Sequence, residues 1–149
     1  MTLNRIARLA ATALLAAATL TAADALTTGT AQASSAPGCA GLVGKSVDVT
    51  LDNGLETRFD FAADGSQVTG TVEAAGQSGA VVGVVNTVPI ALGQAAKNVY
   101  LVNWNEAGQL TISVTLNLKA KTAQTYYSYP SGGDVRAGEL HRGTLRCLG

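Results

Sequence analysis

Over residues 99–129 the hydrophobic and polar positions follow the period of a β-strand. Leu110, Ile112, Val114, Leu116 and Leu118 alternate with Thr111, Ser113, Thr115, Asn117 and Lys119, so one sheet face is aliphatic and the other polar, whereas a helix would scatter those five side chains around its axis. Residues 99–106 are rich in β-branched and aromatic types, and Glu106-Ala107-Gly108-Gln109 supplies the glycine that a tight hairpin needs where φ is positive. Lys119-Ala120-Lys121 reads as a polar turn into a strand over 122–129. Pro130 and the Ser131-Gly132-Gly133-Asp134 cluster are expected to end it, because proline cannot donate to a ladder.

The same punctuation recurs upstream. Residues 42–51 alternate through Val47, Val49 and Leu51 and stop at Asp52-Asn53-Gly54, the strongest hairpin signal in the chain. Residues 55–61 put Leu55, Thr57, Phe59 and Phe61 on one face and Glu56, Arg58 and Asp60 on the other; Asp64-Gly65 makes the next turn, and 67–74 is a weaker strand around Val68 and Val72. Gly76 to Gly79 is a loop. Residues 80–90 form an apolar run whose β-branching and terminal Pro89 favour strand over buried helix. Residues 91–98 are expected as loop, with at most one helical turn, and 139–148 as the last strand. The count is eight strands and no long helix. That predicts an all-β, antiparallel, eight-stranded up-and-down barrel, closed or nearly closed, of the lipocalin/calycin kind, whose interior suits side chains or one small ligand. A two-sheet sandwich is the rival, since strand pairing is not written in the alternation.

The N-terminus changes what has to fold. Arg5 and Arg8 precede an uncharged stretch of Ala, Leu and Thr over 9–20, and Ala31-Gln32-Ala33 is a small-x-small site, the layout of an export signal over residues 1–33. A membrane anchor would need about 20 predominantly apolar residues. Gly38-Cys39 departs from an acylation site at Ala36 and Pro37. The expected product is a secreted single domain over residues 34–149, with no membrane span after cleavage. Of the ten basic and ten acidic residues, the leader removes Arg5, Arg8 and Asp24, leaving eight and nine. Lys119, Lys121, Arg136, Arg142 and Arg146 are spread out rather than striped, which argues against nucleic acid as a partner. The two cysteines of an exported chain, Cys39 and Cys147, read as a disulfide that holds first and last strands together.

Gly44-Lys45, Asp52-Asn53-Gly54, the Tyr100 to Trp104 strand and the aliphatic strand 110–118 together resemble the MoaF-like family of small lipocalin-like domains. The resemblance implies an eight-stranded calycin-type barrel with an interior pocket and implies little about a reaction. Calycin-like barrels also include phenolic acid decarboxylases, which use tyrosines, an arginine and a glutamate inside the barrel. Arg58, Glu73, Tyr126, Tyr127 and Tyr129 supply those residue types, but alternation turns Arg58 and Glu73 outward. No nucleophile elbow, phosphate cradle, cofactor motif or metal motif is present, and His141 is expected as a strand-surface or rim residue without a carboxylate-and-cysteine constellation around it. Tyr100, Val102 and Trp104 share a face and, with Tyr127, are the expected walls of a site for a small apolar or aromatic ligand. Two alternatives stand beside this: a secreted interaction module with a filled core and an exposed strand edge, and a decarboxylase- or isomerase-type enzyme with Arg58 or Glu73 turned inward.

Overall fold

A computed structural model describes residues 39–148; the expected leader and its cleavage site fall outside the described residues. Nine antiparallel strands make one sheet: β1 (Ser46–Leu51), β2 (Glu56–Phe61), β3 (Gln67–Ala74), β4 (Val85–Pro89), β5 (Ala91–Ala96), β6 (Val99–Glu106), β7 (Leu110–Asn117), β8 (Thr122–Gly132) and β9 (Val135–Cys147). They are ordered β4-β3-β2-β1-β9-β8-β7-β6-β5, a nearly closed barrel. The only helical element described is a 3-10 turn over Ala107–Gln109, in which Gly108 takes the expected positive φ of 72°. No helix among the described residues is long and apolar enough to cross a membrane.

The count corrects the expected eight strands to nine, and the extra one is β5, in the segment expected as loop. Ala91, Gly93, Gln94, Ala95 and Ala96 carry no strand signal in their side chains. The strand joins the sheet by backbone pairing, with Ala91 opposite Asn103 and Gly93 opposite Leu101 and an irregularity at Ala95, and Leu92 alone packs on the core. All eight pairings are antiparallel, so a nine-strand series begins and ends in the same direction. Hence β4 and β5, separated by Ile90 alone, are two halves of one run that leaves β3 and crosses to β6. Pro89 sits where this run leaves β3, a position that suits a residue without an amide donor. The barrel therefore has its seam between β4 and β5, while the termini are joined: β1 pairs with β9, Val47 opposite Cys147, and the Cys39–Cys147 disulfide lies at that end.

Other boundaries moved as well: β1 begins at Ser46 rather than at 42, and β9 begins at Val135 rather than at 139. Residues 80–84, expected as strand, are a loop: Gly83 takes φ 85° and its amide donates to Val72 O (2.8 Å), which leaves Val81, Val82, Val84 and Val85 exposed. Pro130 does not end β8. Above Ser128, which faces Thr111, β8 has no β7 partner, and it continues with β9 as a two-stranded ribbon in which Pro130 faces Arg136. Arg136 ties the ribbon down, donating through Nη2 to Gln109 O (2.8 Å) and Ser128 O (2.7 Å).

Candidate functional site

Alternation sorts the barrel into two ends. At the end that carries the disulfide, Val47, Val68, Val102, Val114, Leu116 and Leu118 are buried. Phe61, Val68, Val102, Val114 and Leu116 close on one another and leave no room for water. At the other end lie the β1–β2 turn, the 75–84 loop and the β6–β7 turn, and there the interior opens into a cavity of about 630 Å³. Phe59, Trp104 and Ile112 border both the cavity and the packed core, so they form its floor. The Phe59 and Trp104 rings meet edge to face at 5.9 Å. Leu55, Val72, Val88 and Leu110 supply apolar wall.

The polar wall comes from the outer turns of the same inward-facing rows. On β6 the row Val102, Trp104, Glu106 ends in a carboxylate, and Trp104 Nε1 donates to Glu106 Oε1 at 3.0 Å. On β8 the row Ala123, Thr125, Tyr127, Tyr129 ends in two phenols. On β9 the row Cys147, Leu145, Gly143, His141, Glu139 changes from buried and small to ionisable. His141 Nδ1 lies 2.7 Å from Asp52 Oδ1 and its Nε2 lies 3.6 Å from Glu139 Oε2, while Tyr129 donates its hydroxyl proton to Glu139 Oε1 at 2.7 Å. The Tyr127 ring meets His141 edge to face at 5.8 Å. The bond to His141, followed by one from the Arg142 amide, lowers the Asp52 carboxyl below its ordinary value. Burial, helped by the negative charge of Glu106, pushes the Tyr127 phenol up to about 12. The hydrogen bond to Glu139 raises the Tyr129 phenol.

The four expected wall residues are split. Trp104 and Tyr127 line the cavity. Val102, 1% exposed, is part of the packed end, and Tyr100 is half-buried beyond it, with its hydroxyl over Gly41. Tyr100, Val102 and Trp104 do share a face, but four residues of strand span about 13 Å, and only Trp104 of the three reaches the cavity. Glu106, Glu139 and His141 were missed as lining residues. The signal was parity: Leu145 and Cys147 belong inside, and counting back by twos turns His141 and Glu139 inward as well. His141 is a rim residue as expected, and two carboxylates, Asp52 and Glu139, face it without a cysteine beside them. Among the described residues no group of three potential metal ligands assembles.

Arg58 and Glu73 point outward. Arg58 Nε lies 3.3 Å from Asp48 Oδ1 and its Nη2 lies 3.0 Å from Glu73 Oε1, and Arg146 pairs with the other Asp48 oxygen. The three strands β1, β2 and β3, with β9, present this network on the face away from the cavity.

A family model described as MoaF-like matches residues 43–141. No curated protein matches the chain. Sixteen chains of solved structures match; one, described as a "putative beta-lactamase" from Burkholderia vietnamiensis, is 21% identical, with a TM-score of 0.61 and coverage of 72% of this chain and 95% of its own. At that identity the likeness concerns the fold alone.

Proposed function

The chain belongs to the MoaF-like family, and we propose that it is an exported, single-domain binding protein that holds a small apolar or aromatic ligand in the open end of its barrel. The cavity of about 630 Å³ carries this reading. Its volume falls within the ~300–1,000 Å³ of small-molecule sites, and its make-up is theirs too: apolar walls with a few convergent polar groups. Phe59, Trp104 and Ile112 would take the apolar body of the ligand, and Tyr127, Glu106 and His141 its polar group. Export rests on the leader expected over residues 1–33 and is in keeping with the Cys39–Cys147 disulfide. The interaction-module alternative called for a filled interior, and the enzyme alternative for Arg58 or Glu73 inside; neither is as well supported.

Trp104 reports on the floor of the cavity, so its fluorescence tests the reading. Titration with an uncharged arylalkyl alcohol, phenylbutanol, should give a saturable change in emission, and the cavity-filling variant Val72→Phe should weaken it at least about tenfold. An emission unaffected by phenylbutanol in the native protein up to millimolar concentration would overturn the proposal.

A further inference from the structure

The cavity wall carries carboxylates without a lysine or arginine beside them. Glu106 enters from β6 and Glu139 from β9, His141 stands between Glu139 and Asp52, and no lysine or arginine among the described residues contributes to the wall. The nearest basic residues of the sequence are turned elsewhere: Arg142 lies on the outer face of β9, opposite Gln124, and Arg136 is spent on the backbone of the β6–β7 turn and β8. Trp104 Nε1 fixes Glu106 through Oε1 and leaves Oε2 for another donor. Phe59, Trp104 and Tyr127 add aromatic faces below the carboxylates, and such faces attract cations as well as apolar groups. The Tyr127 phenol is raised chiefly by burial and secondarily by the negative charge of Glu106.

Resting on the binding reading above, we infer that the ligand is a cationic amphiphile: a small molecule with an aryl or alkyl body seated on Phe59, Trp104 and Ile112 and a protonated amine held at the rim by Glu106 and Glu139. A ligand carboxylate at that height would meet two like charges with neither a lysine nor an arginine in the wall to offset them. An amine exchanges part of its hydration for charge-assisted hydrogen bonds and stays close enough to solvent to keep the rest.

Three probes with one apolar body separate this inference from the reading beneath it. Phenylbutylamine, phenylbutanol and phenylbutyrate are titrated calorimetrically into the oxidised protein at low salt and neutral pH. The expected order is amine, alcohol, carboxylate, with at least about tenfold between first and last and a gap that narrows as salt is added. Glu106→Gln and Glu139→Gln should each shrink that gap severalfold, whereas Glu73→Gln, on the outer face, should leave it as it is; thermal midpoints of the variants verify that they fold. Binding of the alcohol with equal or tighter binding of the carboxylate overturns the cationic assignment and leaves the cavity reading standing. Binding of none of the three overturns both.

Discussion

The two ends of this barrel are built from the same strands and do different things. At the disulfide end the inward rows finish in apolar or aromatic side chains and in Cys147, β1 and β9 are laddered from Val47 opposite Cys147 to Leu51 opposite Gly143, and the packing leaves no room for water. At the other end the strands stop at different heights. β7 begins at Leu110, β8 and β9 continue past it as a ribbon, and the 75–84 segment turns away as a loop instead of prolonging β4. Three of the inward rows there, on β6, β8 and β9, end in Glu106, Tyr129 and Glu139. A hollow follows from both facts, because diverging strands leave space and ionisable side chains will not collapse into it without partners. Close packing and open space are thus assigned to opposite halves of one sheet.

That division is open to attack at several strengths. Replacing both cysteines by alanine releases a loop of 108 residues' separation and should cost up to about 4–5 kcal/mol in urea unfolding, by the chain-entropy argument. Next in size is Leu116→Ala, at a side chain 1% exposed, which should cost about 3 kcal/mol through lost burial and a cavity that neighbouring strands cannot close. A third effect depends on pH. The folded pKa of Tyr127, about 12, lies above its ordinary 10.0, so the unfolded chain releases this proton first and stability falls as pH rises. The contribution is intact below pH 10 and is lost between 10 and 12, amounting to about 2–3 kcal/mol at most. Tyr127→Phe should flatten that slope in unfolding curves taken across the interval. Smallest is Val88→Ala on the cavity wall, about 1 kcal/mol or less, since its methyls already face a void. Equal costs for Leu116→Ala and Val88→Ala would erase the distinction between packed and hollow ends.

The fold was legible where one face of a strand is aliphatic and the other polar. The bounds expected for 67–74 and 99–106 are those of β3 and β6, and the turns at Asp52-Asn53-Gly54 and around Gly108 fall where their residues require. It was illegible where backbone pairing does the work that side chains do elsewhere. β5 has almost no apolar alternation, yet the free edge of β6 recruits it. The valines of 80–84 promised a strand, yet Gly83 bends the chain out of the sheet and exposes them. In the site, Trp104 and Tyr127 could be picked out as large residues on inward rows. Height along the barrel could not, which is why Val102 and Tyr100 were grouped with them. Glu139 and His141 were hidden because an ionisable residue on a strand is ordinarily placed outside, and only the inward parity of Cys147 and Leu145 argues otherwise.

Methyl-resolved NMR of the oxidised protein titrated with phenylbutanol compares the two ends within one experiment. Saturable shifts at Leu55, Val72, Val88 and Ile112, with Val47, Leu116 and Leu118 unmoved, are what a hollow end above a packed one predicts. Shifts of equal size at Leu116 and Leu118, or no shifts anywhere at millimolar phenylbutanol, would contradict it.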